Sequence, residues 1–346
     1  MLEVSDSMEN TNGLTNLEKK VESSIKSLLA DKPEFLYRMM EYQLGWADEN
    51  GQPVFGYSTR RAHSLFCMFV CDLLSGNPDR ATPAANAVEL VQEFSQVHYD
   101  IQSANPENRR RSTVWWIWGH AQGINVGDGL YALARLELSR LRAVGLNDSK
   151  VLEAFQFLDE ACLELFQSQF EEILLEEKMN ISKIDYLRIA ESKTGSLFGV
   201  AGQLGALTAN LDPETILACY KAGRKLGLAF QMLDEIKSLW GDGQRSDPDP
   251  RLLNKKRIFP VIFTLDHAEP KIKRELGGLY FKRVLEPSDL QRVVEILNSV
   301  DAFNNCWKVM DSAFQEACDM LSPYSQINEN TYNVNKVLAD IIGLKS

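Results

Sequence analysis

Basic charge is in short supply: 37 Lys and Arg stand against 48 Asp and Glu, giving a net charge of −11. A nucleic-acid backbone needs a basic surface, so the deficit argues against nucleic acid as the main partner. A small polyanionic ligand remains open, since a few local cations can hold it. Apolar runs of membrane-spanning length are also missing, so no membrane span is expected, and Met1-Leu2-Glu3-Val4-Ser5 does not read as a signal peptide. Histidine is sparse. His63, His98, His120 and His267 show neither His-x-x-x-His nor His-Glu-x-x-His spacing, which argues against a zinc hydrolase. No glycine-rich phosphate loop follows a strand, because residues 195–199 sit inside a helical pattern. Cys67, Cys71, Cys162, Cys219, Cys306 and Cys318 lack zinc spacing and read as reduced core or interface thiols, which implies a cytoplasmic protein.

What is present is helical periodicity. Residues 81–97, 123–144, 151–176, 213–239 and 288–298 repeat apolar side chains at three- and four-residue intervals. Strand alternation is hard to find. Breakers fall between the blocks, at 49–53, 75–78, 104–106 and 241–250. A 45% hydrophobic content over 346 residues can bury a large core. The expectation is an all-α protein with a polar, disordered segment over 1–15 and one helical domain over 16–346. Residues 119–135 and 195–207 are apolar on more than one face, as in helices at the centre of a bundle or lining an apolar cavity within it.

Short motifs recur along the chain. Tyr42-Gln43-Leu44-Gly45-Trp46 leads to Gly56-Tyr57-Ser58-Thr59-Arg60-Arg61, then Leu73-Leu74-Ser75-Gly76-Asn77-Pro78. His98-Tyr99-Asp100-Ile101-Gln102-Ser103 is followed by Arg109, Ser112-Thr113-Val114-Trp115, Trp118-Gly119 and Gln122-Gly123-Ile124-Asn125-Val126-Gly127-Asp128. Gln169, Lys193-Thr194, Phe230-Gln231-Met232-Leu233-Asp234-Glu235-Ile236-Lys237-Ser238, Trp240-Gly241-Asp242, Lys256 and Pro260 complete the series. In that order and spacing, the chain resembles the polyprenyl (trans-isoprenyl diphosphate) synthase family over about residues 36–270.

The resemblance implies an all-helical isoprenoid-synthase bundle with a central apolar cavity, a prenyl diphosphate substrate, Mg²⁺ and a homodimer. The homodimer is formed in the family through two long helices that often include the Cys67/Cys71 region. Mg²⁺ takes hard oxygen ligands, supplied in the family by two Asp-Asp-x-x-Asp motifs. The first motif here keeps only Asp100, with Tyr99 and Ser103 in the other places. The second keeps Asp234, carries Glu235 for the next Asp and ends in Ser238. Asp100, Asp234 and Glu235 are therefore the implied catalytic metal ligands.

The family's isopentenyl diphosphate grip is thinned as well. Tyr57 replaces its Lys, Arg60 and Gln92 remain, and Asn108-Arg109 replaces an Arg pair, with Arg110 and Arg111 next in line. The allylic diphosphate grip survives in Lys193, Thr194, Gln231 and Lys256, where charge-assisted hydrogen bonds to phosphate suit the cations. Phe94 stands where the family floors the chain cavity, implying C15 or C20 substrates. Trp115, Trp116, Trp118, Phe198 and Phe230 offer aromatic faces for a carbocation, with plain core packing as the alternative. Glu93 and Gln96 stand where relatives carry a neutral amide and an apolar residue. With Asp100 they fall on one helix face, rebuilt to hold a metal or orient water or a cation, or else simply solvated.

Three functions compete. The first is a Mg²⁺-dependent terpene synthase, an allylic diphosphate lyase that needs no isopentenyl site. The second is a non-catalytic partner subunit forming a heterodimer with an active prenyl synthase. The third is an atypical chain-elongating prenyltransferase.

Overall fold

The computed structural model describes residues 2–30, 32, 34–54, 60–109, 111–177, 181–241, 256–282, 284–326 and 332–344. Helices follow one another as α1 (Leu2–Leu29), α2 (Phe35–Gln43), α3 (Ala62–Ser75), α4 (Thr82–Gln102), α5 (Val114–Trp118), α6 (His120–Ser139), α7 (Asp148–Glu177), α8 (Lys183–Thr208) and α9 (Pro213–Trp240). Then come α10 (Phe259–His267), α11 (Pro270–Phe281), α12 (Pro287–Ser299), α13 (Ala302–Leu321) and α14 (Val334–Ile342). The fold is all-α, as the periodicity implied. Among the described residues the sheet is one hairpin, β1 (Glu107–Asn108) against β2 (Arg111–Ser112), with Asn108 opposite Arg111. No described helix is long and apolar enough to cross a membrane.

The chain divides into two compact units, where the sequence alone suggested one domain over 16–346. The first comprises Met1–Cys162, Leu197–Gly223 and Met320–Ser346; the second comprises Leu163–Ser196 and Arg224–Asp319. Periodicity marks each helix but not the packing partners of its two ends, so α7, α8 and α9 each contribute to both units. Helix α1 takes in most of the segment expected to be disordered. Its second half is anchored by Val21, Ile25 and Leu29, a four-residue stripe that is wholly buried.

In the first unit α3 is a core helix, with Leu65, Phe66, Cys67, Met68, Val70, Cys71 and Leu73 buried. It stops at Gly76, which takes the left-handed conformation favoured past a helix end (φ 67°). Cys67 and Cys71 are therefore core thiols and offer nothing to an interface. Helix α4 packs against α6, and Gly127 permits their approach: a Cβ there would fall 2.3 Å from His98 Nε2.

In the second unit α8 and α9 meet backbone to backbone. A Cβ on Gly227 would lie 2.6 Å from Gly195 Cα and 2.7 Å from the Thr194 carbonyl oxygen. Backbone cannot yield as a side chain can. Gly227→Ala is therefore expected to cost about 1–3 kcal/mol or more, read as a lower midpoint of thermal unfolding. An unchanged midpoint would show that the two helices are free to part.

Candidate functional site

The first unit carries a polar pocket of about 280 Å³ including its wide open mouth, lined by Tyr42, Gln43, Asp100, Asn108, Arg109, Arg111, Ser112 and Thr113. The hairpin builds it. Arg109 lies in the tight β1–β2 turn at φ 51°, a conformation uncommon for a residue with a Cβ. That geometry returns its guanidinium to α4, where Nη1 donates to Glu93 at 2.9 Å. Glu93 is fully buried and also accepts from Arg61 (3.1 Å) and Gln43 (2.8 Å). Arg61 in turn meets Glu89 at 3.4 Å, Glu22 at 3.3 Å and the Leu44 carbonyl at 2.9 Å. Burial opposes the charge on Glu93, but the Arg109 and Arg61 guanidiniums outweigh it and hold the carboxyl below its ordinary range.

On the face expected to be solvated or metal-holding, Glu93 is thus buried in an ion-pair lattice with Arg61 and Arg109, while Gln96 is half-buried and donates to Asp100. Arg111 is engaged too, donating to the carbonyls of Tyr42 (3.2 Å) and Ala47 (2.6 Å) and lying 4.0 Å over the Tyr42 ring. Arg60 is exposed and Gln92 half-buried on α4. Tyr57 and Arg110 fall outside the described residues.

Asp100 is 2% exposed and accepts from Asn108 Nδ2 (3.1 Å) and Gln96 Nε2 (3.0 Å). Burial, opposed in part by these two amides, pushes its carboxyl up to about 6. A carboxyl raised from an unfolded value of about 3.9 binds its proton more tightly in the fold, so it favours folding at low pH and loses that contribution as the pH rises through its folded value. Asp100→Asn is uncharged throughout. Its urea midpoint is expected to exceed wild type near pH 8 and to lose that advantage near pH 4; an equal difference at both would rule out burial of the charge as the cause. Ser103, in the place of the motif's last carboxylate, only donates back to the Tyr99 carbonyl.

The second unit holds a pocket of about 390 Å³ including its open mouth, lined by Glu172, Leu175, Tyr186, Ile189, Ala190, Lys193, Gln231, Lys256 and Arg257. Three cations face one carboxylate. Lys193 is held by Glu172 at 2.8 Å, Thr194 donates to Gln231 at 2.8 Å, and Lys256 is buried. Lys193, Thr194, Gln231 and Lys256, scattered in sequence, are thus gathered at one place. Glu172, Tyr186 and Arg257 join them. Of these, only Arg257 had a sequence signal, in the basic run Lys255-Lys256-Arg257. Asp234 is exposed on α9, Glu235 is fully buried, and Ser238 donates back to the Glu235 carbonyl at 2.8 Å.

Phe94 is nearly buried, its ring 4.7 Å from His98 and 5.3 Å from Tyr131. Among the candidate aromatic faces, Phe198 is sealed in the core 4.2 Å from the His63 ring, and Trp116 is exposed. Trp115 donates to the Asn105 carbonyl at 2.8 Å, and Trp118 packs edge-on against Tyr42.

Mg²⁺ would need carboxylate oxygens turned toward it. Glu235 oxygens already accept from Tyr186 Oη, Gln231 Nε2 and the Phe259 N–H, and both Asp100 oxygens face Asn108. Among the described residues no three His, Cys, Asp or Glu are gathered as metal ligands. Asp100 and Glu235 as arranged turn their oxygens to protein donors and not to a Mg²⁺ ion, whereas Asp234 is exposed.

The second-unit pocket thus sets Lys193 of α8 beside Lys256 and Arg257, which precede α10, with Glu172 of α7 and Gln231 of α9 on its wall. The chain belongs to the polyprenyl synthetase family, whose model matches residues 46–297. It is 34% identical to the geranylgeranyl diphosphate synthase of Mycobacterium tuberculosis (strain ATCC 25618 / H37Rv) over 288 residues, covering 82% of this chain and 81% of that protein. It is 30% identical over 232 residues to the (2E,6E)-farnesyl diphosphate synthase of Mycobacterium bovis, covering 66% of this chain and 63% of that one. The fold matches the polyprenyl synthetase crystal structure from Streptomyces coelicolor A3(2) with a TM-score of 0.85 at 22% identity, covering 96% of this chain and 98% of that one.

Proposed function

We propose that this protein acts in isoprenoid biosynthesis on a single allylic prenyl diphosphate of C15 or C20, converting it without an isopentenyl co-substrate. The diphosphate sits against Lys193, Thr194, Gln231, Lys256 and Arg257. Their charges and donors stabilise it as the allylic C–O bond breaks and the electron pair leaves with it. The allylic cation then loses a proton or captures water, so the reaction is that of a terpene-forming lyase. Phe94, at the α4–α6 contact, limits chain length.

The Mycobacterium relatives are named geranylgeranyl and farnesyl diphosphate synthase, and one observation favours this reading over elongation. In the first-unit pocket, Arg109 is bound to buried Glu93, and Arg111 is bound to two backbone carbonyls. A second diphosphate there would have to draw these cations from partners they already hold. A different observation favours a non-catalytic partner subunit: Asp100 and Glu235 are engaged by protein donors.

Purified protein with Mg²⁺ and geranyl, farnesyl or geranylgeranyl diphosphate, each with and without isopentenyl diphosphate, separates the three. Hydrocarbon or alcohol from the allylic substrate alone is expected. A longer diphosphate that requires isopentenyl diphosphate would establish elongation. Silence broken only by adding an active prenyl synthase would establish the subunit.

The assembly we propose is a homodimer through α7. Its inner face is buried, yet Leu152, Leu163, Phe166, Phe170 and Ile173 are exposed at helical spacing on another. Phe170→Glu is expected to halve the mass measured by light scattering; a wild-type monomer would overturn the assignment.

A further inference from the structure

Glu235 stands where the resemblance puts a metal ligand, yet its side chain is turned inward and fully buried. Oε1 accepts from the Tyr186 hydroxyl of α8 and, at 2.8 Å, from Gln231 Nε2 one turn earlier on α9. Oε2 accepts the backbone N–H of Phe259 at 2.8 Å. Phe259 is the first residue of α10, whose N-cap Ile258 offers no capping side chain. Glu235 therefore supplies, from another helix, an acceptor that a helix N-terminus lacks, and places an acidic group at the positive end of its dipole. It also fixes the Gln231 amide. A carboxylate can only accept, so Nε2 faces inward and Oε1 receives the Thr194 hydroxyl at 2.8 Å.

We propose that Glu235 is a positioning residue of the diphosphate pocket and not a metal ligand. It joins α8, α9 and the start of α10 at one buried point, and so sets where Gln231, Lys256 and Arg257 stand. Binding a metal would strip acceptors from buried donors, each costly to leave unpaired. The extra methylene of Glu over the family's Asp has a purpose on this account: it lets one carboxylate reach the α10 amide while still holding Tyr186 and Gln231. The inference rests on the reading that this pocket takes the substrate diphosphate.

Glu235→Asp, which puts the family's residue back at that one position, tests it. Binding of inorganic diphosphate is measured by calorimetry across a Mg²⁺ series, and exchange of the Phe259 amide hydrogen is followed in parallel. We expect affinity to fall on the order of tenfold, the loss of a hydrogen bond to a charged group. The factor stays the same at every Mg²⁺ concentration, and Phe259 exchanges faster. Tyr186→Phe leaves the carboxylate in place and is expected to weaken binding less, with the Mg²⁺ dependence unmoved; should Glu235→Asp fail to fold, this variant decides by the same calorimetry. Affinity recovered by excess Mg²⁺, or unchanged in both variants with Phe259 protected as before, would overturn the positioning role alone. A wild-type protein that binds no diphosphate would instead overturn the pocket assignment, and this role with it.

Discussion

Glu93→Ala is expected to destabilise the protein by about 3–5 kcal/mol, the usual cost of removing one member of a buried ion pair. Glu93 is 0% exposed and takes hydrogen bonds from Arg61, Arg109 and Gln43. Alanine leaves Arg61, itself 1% exposed, to Glu89 and Glu22 at 3.4 and 3.3 Å. Arg109 loses its Glu93 acceptor while its backbone stays at φ 51°. Glu93→Gln keeps the volume and one acceptor oxygen, so its cost should be smaller.

The pH dependence has a definite sign. A carboxyl held below its unfolded value stabilises the fold above that value and loses the contribution as the pH falls through the folded one. The penalty of Glu93→Ala is therefore full near neutrality and shrinks in acid. Urea midpoints of wild type and variant at about pH 7 and about pH 3 check this. A penalty that grows in acid would mean that Glu93 is not held as a charge.

Lys193→Met is expected to lower kcat/KM for the allylic diphosphate by about 10²–10³-fold, the range seen when one preorganised donor to a developing charge is removed. The loss has two parts. A cation leaves the pocket, and Glu172, which Lys193 holds at 2.8 Å, is left as a carboxylate on its wall. Adding Glu172→Gln should recover part of the activity by removing that repulsion, and Glu172→Gln alone should tighten diphosphate binding. Both side chains are partly exposed, so the unfolding midpoint should hardly move. Steady-state kinetics on the two single variants and the double variant decide the matter; full activity in Lys193→Met would remove this pocket from the reaction.

The candidate site was legible in the sequence only unevenly. Lys193, Thr194, Gln231 and Lys256 could be named from short motifs, and the structure gathers them in the second unit. Asp100, Glu93 and Gln96 could be put on one helix face, since that follows from spacing alone. What that face does was not legible. Charges are mostly exposed, so a solvated surface was the ordinary expectation, whereas packing by α2, α3 and the hairpin buries Glu93 and gives it two guanidiniums. Asn108 reads as a lost cation in the sequence and is a donor to both oxygens of Asp100 in the fold.

The sequence by itself determined an all-helical chain of the polyprenyl synthetase family and the asymmetric loss of carboxylates from its two motifs. Those properties reside in residues three or four apart and in short ordered motifs, which a linear pattern records. Tertiary structure alone decided what the surviving carboxylates do. Glu93 finds Arg61 across 32 positions, and Glu235 finds Tyr186 across 49 and Phe259 across 24. No periodicity specifies such pairs. A buried carboxylate takes whatever donors the packed helices bring within hydrogen-bond reach, because leaving it unpaired costs more than the fold can bear.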